Sequence, residues 1–371
     1  LDRQAQLLRF QGTINESNEF QGMFLQESEI DALLTHAGAA DSPFLTRVAA
    51  LDEQIVRLRL EIDRRAQASE EAGIPLSLPH LVRAFGLDPF ERDVVLMALA
   101  PELDLKFHKL YSYVQNDFTR KRPSINLAIN LLRDTFEERV AAREYFSPES
   151  PLLRYRMLLL DAAPQGAELT LLTREFKLAD RVISFLTGRR TLDENVADFS
   201  RLLIPTALLD QVVLPEGTVQ HVRGILAATL ADPPRLPEDW PVLLFHGPRG
   251  AGKKLLAEAL ARELNRSLLI VDLAGFTLER RPFREALRLV IREAGLQDAF
   301  LYIYDVLHPE EEDANLRPLV HTLHAALRRY PGIAFLGSSS HEIKLHDVDQ
   351  RGILRVAFEV PTLPERRLLW E

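Results

Sequence analysis

The sequence contains no cysteine among its 371 residues. Disulfide bridges and thiolate metal sites are therefore excluded, and the composition is compatible with a reducing compartment. No apolar run approaches the roughly 18 residues that a membrane-spanning helix needs, and the N-terminus lacks the pattern of a secretory signal. We therefore expect a cytoplasmic protein with no membrane partner.

Positive charge is also scarce, since 45 Lys and Arg residues face 54 Asp and Glu residues, for a net charge of −9. Nucleic-acid binding relies on clustered Lys and Arg, so a nucleic-acid partner is not expected. The length exceeds that of one ordinary core and predicts two or more domains. Because the chain starts at Leu1 and stops in a helix-like segment at Glu371, we expect both ends to be truncated.

The N-terminal half has helical periodicity. Residues 1–43 carry little pattern and are interpreted as an arm or linker. Apolar residues at helical spacing then predict an amphipathic helix over Phe44–Glu71. Further helices are predicted over Leu78–Phe85, Pro89–Leu99, Lys106–Gln115 and Ser124–Arg133.

Beyond Pro151 the pattern changes to two short apolar runs, Tyr155–Asp161 and Leu169–Phe176, which predict two strands joined by a turn. A helix over Ala179–Leu186 follows. Helices followed by a β-hairpin are typical of a winged-helix domain, which we assign to residues 44–202.

Residues 203–371 alternate between strand-like and helix-like segments, which predicts an α/β domain with a parallel sheet and helices on both faces. After a helix over Glu216–Leu230, the predicted order is strand, helix, strand, helix, strand, helix, strand, strand. These elements cover Val242–His246, Lys253–Asn265, Leu268–Asp272, Arg284–Ala294, Ala299–Asp305, Leu316–Arg329, Ile333–Leu336 and Arg355–Val360.

The strongest chemical motif follows the strand Val242–His246 and opens a helix, which is the setting of a phosphate-binding P-loop. Its glycines permit a loop that brings backbone N–H groups towards phosphate oxygens at the positive end of a helix. The alternatives are a glycine-rich turn without a ligand and a decayed site. We predict ATP or ADP as the ligand, held by Gly247, Pro248, Arg249, Gly250, Ala251, Gly252, Lys253, Lys254 and Leu255.

Lys254 departs from the P-loop pattern, in which Ser or Thr supplies a hydroxyl to Mg²⁺. An ammonium group cannot ligate a cation, so we expect Mg²⁺ binding to be weakened. Two interpretations stay open, in which Lys254 either turns outward or lies near the phosphates and partly replaces Mg²⁺. We favour the outward orientation because a lysine at the start of an exposed helix is usually solvated.

Asp305 ends the apolar run over residues 300–304 and is the candidate metal ligand and catalytic carboxylate, unless it serves only as a turn residue. Val306 occupies the next position, where a glutamate would activate water. A valine cannot orient or deprotonate water, and loss of a general base costs on the order of 10²–10⁴ in rate. The run Glu310–Glu312 is interpreted as a solvated surface.

Residues 206–371 resemble the large subdomain of an AAA+ ATPase, with a degenerate Walker A motif and a Walker B motif that keeps Asp305. The resemblance implies a polar sensor at Ser340 or Ser339 after the strand that starts at Ile333. It also implies an arginine finger at Arg351, with Arg355 as the second choice and an ordinary surface arginine as the alternative. The family's helical lid would follow Trp370, so we expect the sequence to stop before it. AAA+ modules form rings, so a homo-oligomer, most often a hexamer, is implied.

The segments Phe90–Asp104, Leu110–Tyr113 and Asp117–Pro123 are similar to the winged-helix region that precedes AAA+ modules in certain bacterial ATPases. Some of these are encoded with contractile, phage-tail-like injection systems, where a degenerate module can precede an intact one. Because the chain is acidic and helices such as Phe90–Leu99 are too apolar for a DNA groove, we expect the winged-helix domain to bind a protein partner. A DNA-binding alternative would use the short basic run Arg120–Arg122.

Two classes of function stay open at this point. In the first, the chain is an ATP- or ADP-binding AAA+ module with weak or no hydrolysis that acts in ring assembly or regulation of a remodelling ATPase. In the second, the nucleotide is lost and the region is a scaffold or interaction platform. A winged-helix DNA-binding protein is the third and least favoured alternative.

Overall fold

The computed structural model describes residues 43–162, 170–214, 216–234, 236–272, 282–304, 316–339 and 353–360. The chain divides into two compact units, residues 1–189 and residues 190–371. In the described ranges, no helix is both long enough and apolar enough to cross a membrane.

The first unit is mainly helical, and its longest element is α1, Pro43–Glu71. The shorter helices that follow are α2 Ser77–Phe85, α3 Pro89–Leu103, α4 Lys106–Val114, α5 Ile125–Leu132, α6 Phe136–Ala141 and α7 Pro151–Arg154. A capping box starts α3, because the Asp88 side chain accepts from the Glu91 N–H at 2.8 Å and the Glu91 side chain accepts from the Asp88 N–H at 3.0 Å. The predicted helices are thus found with ends shifted by a few residues.

A short antiparallel hairpin follows the helices. Its strands are β1, Leu158–Leu160, and β2, Phe176–Leu178, and α8, Asp180–Leu186, comes next. The second strand lies later than the sequence pattern predicted, because residues 171–173 form a 3₁₀ turn. The backbone just after this turn pairs with the start of α5 and not with β1, since Ile125 N donates a hydrogen bond to Arg174 O at 3.0 Å. Helices followed by a hairpin remain the order of a winged-helix domain.

The second unit is an α/β domain. Its helices are α9 Glu194–Ala197, α10 Glu216–Ala231, α11 Lys253–Glu263, α12 Phe283–Leu296 and α13 Leu316–Leu327. Its strands are β3 Ser200–Leu203, β4 Val242–His246, β5 Ser267–Asp272, β6 Ala299–Tyr304, β7 Ala334–Ser338 and β8 Ile353–Ala357. The apolar runs of the sequence become strands buried almost throughout, as in β6 and β7.

The six strands form one sheet in the order β3-β5-β6-β7-β4-β8. Five strands are parallel, and β3 pairs with β5 in the antiparallel sense. Because β4 lies inside the sheet between β7 and β8, the loop after β4 emerges at the carboxyl edge, where α/β proteins bind ligands. The α/β fold of a P-loop protein after a helical N-terminal region is therefore confirmed.

The division between the units lies after Arg189, whereas the sequence analysis placed the domain boundary at residues 202 and 203. The difference arises from β3, whose four residues pair with Leu268–Val271 of β5 and so belong to the α/β sheet. A buried ion pair supports the same division, since Asp193 accepts from Arg292 of α12. A single antiparallel edge strand has no periodic signature that marks its sheet.

Candidate functional site

The loop between β4 and α11 has the backbone that its glycines predict. Gly250 and Gly252 lie in the left-handed region, with φ of +83° and +90°. Among the described residues, no atom lies within 4 Å of the Cβ that either would carry, so glycine is required there by backbone conformation and not by space. Gly252 is also the N-cap of α11.

Gly247 is required for a different reason, because a neighbouring backbone approaches it. A Cβ at Gly247 would stand 2.1 Å from the carbonyl oxygen of Phe358. Two backbone hydrogen bonds hold this arrangement: Gly247 N donates to Ser338 O at 3.2 Å and Phe358 N donates to His246 O at 2.8 Å. The start of the loop is therefore clamped between the ends of β7 and β8.

The lysine of the motif lies across the first turn of the loop. Lys253 Nζ donates to Gly247 O at 2.6 Å and to Pro248 O at 2.7 Å. An ammonium has three donors, so two of them are engaged by loop carbonyls. The positive charge is thus held at the loop by the loop's own backbone.

A cavity of about 640 Å³ opens beside the loop and α11. This volume is in the range of small-molecule sites, roughly 300–1,000 Å³. The cavity is lined by Arg201, Arg249, Gly250, Ala251, Gly252, Lys253, Lys254, Leu255, Glu258, Ile270, Tyr302, Tyr304, Gly337, Ser338 and Ser339. Seven of the nine residues predicted to bind nucleotide are in this lining, and the other two, Gly247 and Pro248, bind the Lys253 ammonium.

The floor of the cavity is the sheet. Strand register sets Arg201 opposite Ile270 and Ile270 opposite Tyr302, so these three residues form a row across β3, β5 and β6. Tyr304 follows Tyr302 on the same face, and their rings stack with centroids 6.4 Å apart. The period-2 pattern in Leu301–Tyr304 carried the signal for two tyrosines on one face, whereas nothing in the sequence pointed to Arg201.

The described lining is strongly basic. It contains four cationic side chains, on Arg201, Arg249, Lys253 and Lys254, and one carboxylate, on Glu258, for a net charge of +3 in a chain whose net charge is −9. Glu258 Oε1 is itself engaged, since it accepts from Thr206 N at 3.1 Å and Ala207 N at 3.3 Å. A basic cleft of this kind attracts anions.

Lys254 lines this cavity, whereas the sequence pattern favoured a side chain that turns outward into solvent. The residue is half-buried and belongs to the lining. Glu258 lies one helical turn further along α11 and lines the same cavity, so this face of the helix is its wall. A half-buried lysine in this wall is within reach of a ligand in the cavity.

Two serines at the end of β7, Ser338 and Ser339, lie on the loop's side of the cavity. Ser338 is buried and Ser339 is half-buried, and both line it. In the part of the chain that the structure describes, the buried Ser339 hydroxyl has no hydrogen-bond partner. Ser339, the second of the two predicted sensor positions, is therefore a polar group available to a ligand of the cavity.

The remaining predicted site residues cannot be compared with the fold. Asp305, Ser340 and Arg351 lie outside the described residues, as does Val306. Arg355, the second choice for the arginine finger, is on β8, and it is exposed and absent from the cavity lining. Within the described ranges, no group of three His, Asp or Glu side chains is arranged to hold a metal ion.

Comparison with known proteins gives two family matches. Residues 1–200 match the model of the family described as "Winged helix domain, variant". Residues 243–320 match the model of the "ATPase family associated with various cellular activities (AAA)". A search of curated proteins gives no significant match.

Among solved structures, the chain is similar to one described as "Structural Basis for Katanin Self-Assembly", with 17% identity and a TM-score of 0.36. The similarity covers 44% of this chain and 56% of that one, so this chain spans little more than half of that structure. Because the first of the two family matches covers more than half of the sequence, the chain belongs to the variant winged-helix domain family, and an AAA ATPase-like module follows that domain.

Proposed function

We propose that the second unit binds ATP or ADP and hydrolyses it weakly or not at all. The observation that supports this most directly is the loop itself, where glycines at positive φ lead into α11 and Lys253 is held over the loop beside a basic cavity. The phosphates would lie against the loop, with Arg249 and Lys253 supplying positive charge and Ser339 or Ser340 a hydroxyl. Asp305 remains the proposed ligand of any metal.

In the cell, we propose that this module acts in ring assembly or in regulation of a remodelling ATPase in the cytoplasm. The ring would be a homo-oligomer, with a hexamer as the expected form, and Arg351 would reach the nucleotide of the neighbouring subunit. The resemblance to bacterial ATPases of contractile injection systems supports this role, with hydrolysis supplied by a second module.

The winged-helix unit is proposed to bind a protein and not nucleic acid. This proposal rests on the acidic balance of the chain and on the helices that are too apolar for a DNA groove. The short basic run offers little to DNA, because Arg120 pairs with Asp117 at 3.2 Å and Arg122 with Asp161 at 3.7 Å. Neutralised arginines add little affinity for phosphate.

The proposed nucleotide binding is tested by calorimetric titration of the full chain with ADP. Saturable binding is expected, and Lys253→Met should weaken it about tenfold or more, because a charge-assisted contact to phosphate is lost. The matched control is Arg284→Met, which removes an exposed cation of α12 outside the cavity and should leave the affinity unchanged. Sedimentation velocity with and without ADP then shows whether the nucleotide promotes assembly.

The nucleotide-free platform stays as the second candidate because of one contact. Lys253 already donates to the carbonyls of Gly247 and Pro248, so its ammonium has hydrogen-bond partners without a phosphate. Absence of saturable ADP and ATP binding by the folded chain would favour this candidate and end the first.

A further inference from the structure

We propose that Lys254 takes the place of the metal ion at this site, so that the module binds nucleotide polyphosphates without Mg²⁺. The inference rests on the proposed nucleotide binding and names the cation that completes it. Lys254 is the second residue of α11, at the position where a hydroxyl would hold Mg²⁺ in P-loop proteins.

The first line of support is the position of Lys254 in the cavity wall. The side chain is half-buried and shares the cavity with Arg249 and Lys253. Among the residues that the structure describes, none forms a hydrogen bond or an ion pair with the Lys254 side chain. Its charge is therefore available to a ligand, and polyphosphate is the ligand chemistry that matches three adjacent cations and a P-loop backbone.

The second line of support is that the described lining suits Mg²⁺ poorly. Magnesium prefers an octahedral shell of oxygen ligands that includes one or two carboxylates. The carboxylate of the described lining, Glu258, already accepts hydrogen bonds from Thr206 and Ala207. An ammonium in the same small space repels a divalent cation. It also neutralises part of the phosphate charge without a metal ion.

Arg201 lines the same cavity, but it cannot take the place of the metal ion at the phosphates. It lies on β3, and the sheet order separates β3 from β4 by four strand spacings, about 19 Å in all. An arginine side chain cannot span that distance to phosphates held by the loop after β4. Arg201 is therefore not the cation that takes the place of the metal ion.

The test is titration of the full chain with ADP, once in excess Mg²⁺ and once in EDTA, for four proteins. The wild type should bind ADP with affinities within about twofold in the two conditions. Lys254→Met should bind about tenfold to a hundredfold more weakly in both, because one charge-assisted contact is lost and nothing replaces it. Lys254→Thr should bind weakly in EDTA and regain affinity in Mg²⁺. Arg284→Met, which removes an exposed cation of α12 outside the cavity, should retain the wild-type behaviour.

The outcomes separate the two proposals. Loss of wild-type binding in EDTA by tenfold or more would overturn the replacement of Mg²⁺ by Lys254 and leave nucleotide binding intact. Equal effects of Arg284→Met and Lys254→Met would also overturn it, because the net charge of the chain and not Lys254 would then be responsible. No ADP binding in either condition by a chain with normal thermal unfolding would overturn the proposed function itself.

Discussion

The hydroxyl of Tyr302 occupies the space in which a side chain at Gly337 would begin. A Cβ at Gly337 would stand 2.7 Å from that oxygen and 3.2 Å from the ring carbon that bears it. Tyr302 is buried on β6 and Gly337 is on the neighbouring strand β7. The glycine thus leaves room for the tyrosine ring to extend across β7 under the phosphate loop, where both residues line the cavity.

Gly337→Ala is expected to destabilise the second unit by about 1–3 kcal/mol, because an added methyl group overpacks a buried position. Urea unfolding followed by tryptophan fluorescence measures this, since Trp240 and Trp370 both belong to residues 190–371. Tyr302→Phe in the same chain should recover part of the loss. Gly224→Ala in α10 is the control, because no atom of the described part of the chain lies within 4 Å of its added Cβ. This change should be neutral or stabilising by up to about 1 kcal/mol. Equal losses for Gly337→Ala with and without Tyr302→Phe would contradict the steric explanation.

The buried pair of Asp193 and Arg292 gives a second prediction. Both side chains are at most 4% exposed, and they are separated by 99 residues in sequence. Asp193→Asn should destabilise the second unit by about 3–5 kcal/mol, because it leaves the Arg292 charge buried without its partner. Glu263→Gln, which breaks the more exposed pair with Arg223, should cost about 1 kcal/mol or less in the same urea assay. Similar losses in the free energy of unfolding for the two variants would show that the buried pair contributes no more to stability than the exposed pair.

The same pair predicts acid sensitivity. Burial alone would raise the pKa of Asp193, but the Asn195 N–H and the charge of Arg292 outweigh it, so the pKa lies below its ordinary value of 3.8. A lowered pKa contributes stability above the unfolded-state value, and this contribution is lost as pH falls through the folded-state value. The second unit of the wild type should therefore lose stability as pH falls below about 4. The second unit of the Asp193→Asn variant should lose less stability over the same fall in pH.

In the winged-helix unit, Glu91 predicts the opposite pH dependence. Burial raises its pKa from 4.5 to about 7, with the nearby charge of Asp88 acting in the same direction and a hydrogen bond from the Asp88 N–H opposing both. A raised carboxyl pKa means that stability falls as pH rises from about 4.5 to about 7, by an amount on the order of 3 kcal/mol. Glu91→Gln keeps an acceptor for the Asp88 N–H and should flatten this slope. Calorimetric unfolding between pH 5 and pH 8 would show it, and an unchanged slope in the variant would contradict the assignment to Glu91.

Much of this architecture could be predicted because it rests on local patterns. The P-loop glycines carry their own requirement for positive φ, and the buried parallel strands have continuous apolar runs. What could not be predicted depends on pairing between distant segments. Arg201 lines the cavity because β3 pairs with β5, and Lys254 lines it because the cavity lies beside the start of α11. No short pattern encodes either relationship. Tyr302 is an intermediate case. The alternation along β6 predicts which face of the sheet it lies on, but it does not predict the contact with Gly337.

The last prediction concerns hydrolysis. In the sequence, Val306 follows Asp305 where a water-activating glutamate is expected, and Lys254 lies in the cavity where a hydroxyl would bind Mg²⁺. The full chain should therefore hydrolyse ATP far more slowly than about 1 s⁻¹, the lower end of ordinary enzyme turnover. Val306→Glu alone should not restore turnover, because the ammonium at position 254 still opposes the metal. Val306→Glu combined with Lys254→Thr should give the larger gain, measured as phosphate release in excess Mg²⁺ with Arg284→Met as the control. Turnover of 1 s⁻¹ or faster by the unmodified chain would show that another carboxylate activates the water.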